Sequence, residues 1–275
     1  MRGDRRFPAG GAPSDATPRP GSSLFPLAAL ILALTAPPAA CAAGAPSAPA
    51  AATGQDSTGQ EATGHDATGH DATVHHGFED AERWAKIFDA PDRDSWQKPE
   101  LVIEGLALRP GMIVADLGAG TGYFESHLSR AVEPGGLVLA IDPEPDMVRY
   151  LGRRAAKDAL ANVLPILGLP EEPFLPSGRV DRVLVVDTYH HIDDRLAYFG
   201  RMRRSIAPGG RVAIVDFHKR PLPVGPSPEH KIERQVVVDE MTQAGYRLAD
   251  EKTTLPYQYF LIFQPAEPTP GAVTR

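Results

Sequence analysis

Cysteine is nearly missing from this chain. Cys41 is the only one in 275 residues, so the fold holds no internal disulfide and no thiolate cluster for a metal. An excess of positive charge is missing too: 28 Lys and Arg stand against 35 Asp and Glu, a formal net charge of -7. That balance supplies no basic face for gripping a phosphate backbone, so nucleic acid is excluded as the expected partner. Large apolar side chains are scarce in the first third, where Pro, Ala, Gly, Ser and Thr dominate. A core can therefore be built only from residues 78–265, a length that suits one domain.

The N-terminal apolar segment, residues 24–36, is too short to span a bilayer as a helix. Arg2, Arg5 and Arg6 precede it and a run of small residues follows it to Cys41, so residues 1–41 read as a secretory leader. Cys41 fits a lipidation point, which implies membrane attachment and a periplasmic or membrane-anchored location. A cleaved secretory leader and a start codon set too far upstream, with a cytoplasmic protein, remain the alternatives. Residues 42–77 include pentapeptides such as Thr-Gly-His-Asp-Ala, too poor in apolar groups to offset ordering entropy, and are expected to be a disordered linker. His65, His70, His75 and His76 fall in that spacer and are read as incidental, so no metal is expected. Residues 266–275 are expected to form a disordered tail.

Between linker and tail the hydrophobic pattern alternates. Helical spacing over 79–88 and 99–108 predicts two short helices that lid the domain. Continuous apolar runs at 112–115, 137–141, 163–167, 182–186 and 211–216 predict strands, and helices are expected at 123–132, 145–158, 193–205 and 229–244. Runs of Val, Ile and Leu between helices mark a parallel sheet covered on both faces. The last two strands, 246–252 and 257–263, are linked too briefly for a parallel crossover and must form an antiparallel pair. The fold class is therefore α/β, a doubly wound seven-stranded sheet, mostly parallel with an antiparallel last strand.

The richest stretch is Val114-Ala115-Asp116-Leu117-Gly118-Ala119-Gly120-Thr121-Gly122-Tyr123, where a buried strand ends in an acid and a glycine-rich turn opens a helix. A dinucleotide fingerprint needs a third glycine at 123, and Tyr123 stands there, which counts against a hydride-transferring dehydrogenase. A second acid, Asp142, ends the next strand, where an open α/β sheet offers a carboxylate to ribose hydroxyls. The alternatives are a turn used only for packing and, for Asp142, a helix cap.

This loop, Asp142 and the segment Val186-Asp187-Thr188-Tyr189-His190-His191-Ile192 together resemble class I S-adenosylmethionine-dependent methyltransferases, with the general look of quinone and small-molecule methyltransferases. The likeness covers about 101–263 and includes Ala207-Pro208-Gly209-Gly210-Arg211. It implies a Rossmann-like fold and S-adenosyl-L-methionine as cofactor. Residue by residue, Asp116, Gly118, Ala119, Gly120 and Gly122 would form the cofactor loop, Asp142 and Pro143 the ribose edge, and Asp187 the border of the reaction centre. Where many relatives carry an acid followed by a small residue after strand three, this chain has Gly168-Leu169-Pro170-Glu171, so Leu169 and backbone groups are expected at the adenine. Asp187-Thr188-Tyr189-His190 lacks the prolines common in enzymes that methylate nucleobase or glutamine amino groups.

The implied acceptor is a small or lipid-like molecule. Transfer from a sulfonium needs positioning and, for a hydroxyl or carbon acid, a base. His190 and His191 are the expected bases, their alternative being core packing or helix capping. Asp216, Phe217, His218 and Lys219 end strand five at the ligand edge, and Pro228 to Lys231 are candidates for shaping an acceptor pocket with Tyr123 and Tyr189 as walls. Glu229 has a second reading, as favouring the N-terminal end of the following helix. The alternative function is an exported or membrane-anchored ligand-binding protein that keeps the fold without turnover, because the cofactor is made in the cytoplasm.

Overall fold

The computed structural model describes residues 80–267. The leader, the linker with its histidines, Cys41 and most of the tail lie outside the described residues. Among the described residues no helix is long and apolar enough to cross a membrane.

The element order is α1 (Ala81–Phe88), α2 (Arg93–Gln97), α3 (Pro99–Leu106), β1 (Ile113–Leu117), α4 (Glu125–Val132), β2 (Leu137–Asp142), α5 (Pro145–Lys157), β3 (Val163–Leu167), β4 (Val180–Val186), α6 (Arg195–Met202), β5 (Ile206–Phe217), α7 (Arg234–Gln243), β6 (Tyr246–Lys252) and β7 (Gln258–Pro265). One sheet runs β3-β2-β1-β4-β5-β7-β6. Strands β1 to β5 pair in parallel, while β7 enters between β5 and β6 and is antiparallel to both. The reversal at β1 and β4, from which the chain winds outward both ways, is the switch point where an open α/β sheet leaves a crevice.

Alternation along each strand sends side chains to opposite faces. Ala115, Leu117, Val183, Val185 and Ile214 join the core beneath α6 and α7, meeting Phe199, Met202, Val237 and Met241. Val114, Val138, Leu184, Val186 and Val215 join the core beneath α3, α4 and α5, meeting Val102, Leu106, Leu128 and Leu151. Each such buried aliphatic contributes about 1.5–3 kcal/mol relative to exposure, and two covered faces explain why the strands read as unbroken apolar runs.

Several expectations are corrected. Residues 99–108 do not lid the domain: α3 belongs to a helical layer, with Gly105 so close to Phe260 that a Cβ would lie 2.5 Å from its ring. The helix predicted at 229–244 starts at Arg234, after a single 3-10 turn over Pro228–His230, so Glu229 does not serve its N-terminus. Ala207 to Arg211 is absorbed into β5, with a register shift opposite Val180 and Arg182, instead of forming a separate turn. The helix predicted at 193–205 begins at Arg195 because Asp194 caps it, accepting from the Ala197 N–H at 3.1 Å. Helix α2 escaped the pattern because five residues give no readable period.

Candidate functional site

A cavity of about 710 Å³ opens at the carboxyl ends of β1, β2, β4 and β5. Asp116, Gly118, Ala119, Gly120, Asp142, Pro143, Asp187, His190 and His191 all line it, so residues chosen from separate stretches of sequence come together. Two do not. Leu169 is half exposed and lies outside the lining, because the segment after β3 bridges to Glu172 at the sheet edge. Gly122 also faces away, since a Cβ there would meet Leu151 at 2.7 Å; this glycine lets α5 pack against the loop.

The other two loop glycines divide the work. Gly118 has φ +72° and a Cβ on it would meet the Thr188 hydroxyl at 2.3 Å, so it lets the β1 and β4 loops touch. Gly120, at φ +56°, turns toward the cavity, and the nearest atom to a Cβ there is in the Phe88 ring at 3.7 Å. Of the three glycines, Gly120 is the one that leaves room for a ligand to approach the backbone.

Asp142 is fixed by backbone donors. One carboxylate oxygen accepts from the Gly120 N–H at 2.8 Å and the other from the Glu144 N–H at 2.9 Å. Each oxygen keeps lone-pair capacity for a further donor. Burial pushes its pKa up to about 6, against the pull of those two N–H groups, so at neutral pH it remains chiefly ionised. It does not cap α5, whose N-cap is Glu144.

Asp116 lies deeper, and burial pushes it up to about 7. Glu125, which begins α4, is buried beside it and pushed well above the usual carboxylate range by burial and by the Asp116 charge. Burial and the Asp116 charge therefore hold Glu125 toward its protonated form. Asp187 sits at φ +51°, a left-handed conformation that Asp tolerates, at the end of β4. Burial and the neighbouring Asp216 raise it to about 7, while Arg93, His190 and Gln258 act the other way. Gln258 donates to Asp187 at 2.6 Å and accepts from Gln97 at 2.8 Å, so α2, β4 and β7 share one buried network.

Arg93 stands over this network. Its guanidinium lies 3.9 Å from the Tyr123 ring centroid, donates to the Phe88 carbonyl at 2.6 Å and comes within 4.0 Å of Asp187. Tyr123 donates its hydroxyl to Asp94, so this aromatic wall is held by α2. Tyr189 is not a wall: it is wholly buried, stacks on Phe199 and donates to Glu240 at 2.7 Å.

On the far side, His190 Nδ1 lies 2.9 Å from the Asp216 carboxylate. Asp216 is completely buried and also accepts from the Phe217 N–H at 2.8 Å. Burial opposes a charge on His190, but Asp216 and Asp187 outweigh it and raise its pKa. Phe217, Lys219, Glu229, His230 and Lys231 line this side, whereas His218 does not.

The known proteins that this chain resembles fit this geometry. A family model described as a methyltransferase domain matches residues 114–210. An uncharacterized methyltransferase of Mycobacterium tuberculosis is 37% identical over 117 residues, 42% of this chain and 44% of that protein. The ubiquinone/menaquinone biosynthesis C-methyltransferase of Shewanella halifaxensis is 29% identical over 143 residues, 51% of this chain and 53% of that protein. The crystal structure of a SAM-dependent methyltransferase from Aquifex aeolicus superposes with a TM-score of 0.64 at 29% identity, covering 67% of this chain and 97% of that one. Over residues 114–210 the chain carries a methyltransferase domain, and it is similar to S-adenosylmethionine-dependent methyltransferases. It spans about half the length of the curated relatives it matches, 44% and 53% of the two named here.

The residues present suit this family's cofactor. Asp142 offers two fixed acceptors to a ribose diol, Gly120 leaves an open approach, and Asp116, Asp187 and Arg93 offer charges of both signs to the amino and carboxylate groups of a methionine moiety. Sequence reasoning missed Phe88, Arg93 and Trp96 of the lid, Glu144 and Met147 past Asp142, and the pairing of Asp216 with His190. Helical spacing did mark Phe88 as apolar, but nothing in one sequence says which apolar residue meets a ligand.

Proposed function

We propose that the protein transfers a methyl group from S-adenosylmethionine to a small-molecule or lipid-like acceptor. The observation that carries this reading is Asp142, held at the cavity by the N–H groups of Gly120 and Glu144 with both oxygens able to accept once more. When bound, the cofactor supplies an activated methyl on a sulfonium with a neutral thioether as leaving group. The chain's part is to place it: Asp142 engages ribose hydroxyls, Arg93 a carboxylate, and Asp116 with Asp187 an ammonium. Phe88, Trp84 and Arg93 from α1 and α2 roof the glycine loop and exclude water. Likeness to a quinone C-methyltransferase supports a flat, apolar acceptor.

Binding without turnover has no observation of its own in the cavity. The membrane-attached form is proposed on the leader and Cys41 alone; unchanged membrane association of Cys41→Ala would sink the lipidation part.

Calorimetric titration of the full chain with S-adenosylmethionine, beside Asp142→Ala, tests the main reading. Micromolar binding that the variant loses supports it. A folded chain that ignores the cofactor overturns it.

A further inference from the structure

The half of the cavity away from Asp142 holds a buried cation that placing the cofactor does not use. Lys231 follows the 3-10 turn over Pro228–His230, and its N–H donates to the Pro228 carbonyl at 3.2 Å. Its side chain is turned inward, since Lys231 is only 2% exposed and yet lines the cavity. A lysine is almost never buried so far unless something matches its charge.

The protein itself does not supply that match. The Lys231 ammonium donates to the Arg220 carbonyl at 2.9 Å and lies 5.6 Å from the Phe217 ring centroid, two partners without charge. Among the described residues no carboxylate pairs with it, and Asp216 and Glu229 act on it only from farther off. Both acids are engaged already, Asp216 by His190 and the Phe217 N–H and Glu229 by the Ser227 hydroxyl. Burial lowers the Lys231 pKa against the pull of these two acids. The ordinary lysine value lies about three units above neutrality, so the group keeps its charge. It is a cation with N–H donors to spare.

The wall that leads to this charge is apolar and aromatic. Trp96 and Phe217 have ring centroids 5.8 Å apart. Gly225 packs its backbone on the Phe217 ring, where a Cβ would lie 2.6 Å away, and Val224, Ile232 and Val236 extend the surface. A flat ring laid on Trp96 and Phe217 loses water from its face, and an anionic group on its edge meets the ammonium beside Phe217. A single negative charge suits the site better than a doubly charged phosphate. One buried ammonium neutralises one charge, and the other lysine lining the cavity, Lys219, is exposed to solvent.

We propose that the acceptor is a flat aromatic carboxylate, laid on the Trp96 and Phe217 wall with its carboxylate accepting from Lys231. This rests on the methyl-transfer reading. Lys231 is then a specificity-determining residue, which selects an anionic acceptor and takes no part in moving the methyl group. The competing use of the ammonium is as a staple that ties the segment after β5, at Arg220, to the segment before α7. A staple sets stability and does not read the charge of a ligand.

The test uses the full chain saturated with S-adenosylhomocysteine, whose binding is measured first, and two probes of one shape, 2-naphthoate and 2-naphthamide, titrated by calorimetry at neutral pH. The expected result is naphthoate binding at least about tenfold tighter than the amide, from a hydrogen bond between two charged groups in place of one to a neutral group. Because the ammonium is buried, that preference should survive about 0.5 M salt. Lys231→Met keeps a long side chain and loses the charge, and should bring the two affinities within about twofold while S-adenosylhomocysteine binds as before. Arg220→Met removes an exposed cation and keeps the carbonyl that Lys231 uses, and should leave the preference intact. The wild-type ratio and its survival in salt decide the matter even where Lys231→Met does not fold. A chain that binds S-adenosylhomocysteine but takes neither probe, binds both equally, loses the preference in salt or in Arg220→Met, or keeps it in a folded Lys231→Met overturns this proposal alone. A chain that does not bind S-adenosylhomocysteine takes down both this and the methyl-transfer reading.

Discussion

The two halves of the cavity are built in different ways. The cofactor half is local: a strand, a glycine turn and the next strand's last residue place Asp116, Gly120 and Asp142 within one βαβ unit. The half proposed for the acceptor is assembled from distant segments, with Trp96 on α2, His190 after β4, Phe217 on β5 and Ile232 before α7. The local half is held by backbone N–H groups and tight glycine contacts, so it tolerates little change. The assembled half is held by side chains on side chains, through Gln97, Gln258 and Asp187 and through Asp216 and His190.

The sharpest way to break the contrast is Gly118→Ala. A left-handed φ of +72° and a Cβ 2.3 Å from the Thr188 hydroxyl put both strain and overlap on the one position. Chemical denaturation should show a loss of roughly 2–5 kcal/mol from the two effects together. An unchanged midpoint and slope would show that the loops separate freely. Next in size is Asp142→Ala, expected to weaken S-adenosylmethionine about 100-fold in calorimetry through loss of two charge-assisted hydrogen bonds. The wild-type affinity should also fall as pH drops through about 6, where this carboxylate takes up a proton. Flat affinity from pH 8 to pH 5 would remove Asp142 from the ribose role.

Glu125→Gln probes the cost of the local half. The folded pKa values of Asp116 and Glu125 are raised above the unfolded ones, so the pair's contribution is complete below about pH 4. It is lost as pH rises toward the folded values, which for Asp116 is about 7. Removing one ionisation while keeping the shape should raise the melting temperature at pH 8 by about 2–4 °C and leave it unchanged near pH 4. Equal destabilisation at both pH values would mean that the carboxyl proton has no such role. The smallest effect is expected from Leu169→Ala, which lies outside the cavity and should leave cofactor affinity within about twofold. A larger loss would return Leu169 to the adenine.

The difference between the halves also explains what could be read in one dimension. Residues 163–167 and 246–252 were predicted at the bounds of β3 and β6, because a short unbroken apolar run, or a strand closing a short hairpin, leaves a direct mark on residue order. Asp142 was legible for a similar reason, since a short crossover fixes how far a second acid lies from a glycine turn. Leu169 and Tyr189 were misplaced because whether a loop turns inward or to the sheet edge depends on partners such as Glu172 and Glu240 that sequence proximity does not reveal.

By itself, the sequence determined the alternation of strands and helices, the glycine turn and the two acids of the cofactor half, since these follow from periodicity, φ freedom and short-range geometry. Only the tertiary structure decided that β7 enters between β5 and β6, carrying Gln258 to Asp187, and that Asp216 meets His190. Such pairings join residues whose separation along the chain is arbitrary; burial removes water as their partner, and each must then find its hydrogen bond in whatever the fold brings near.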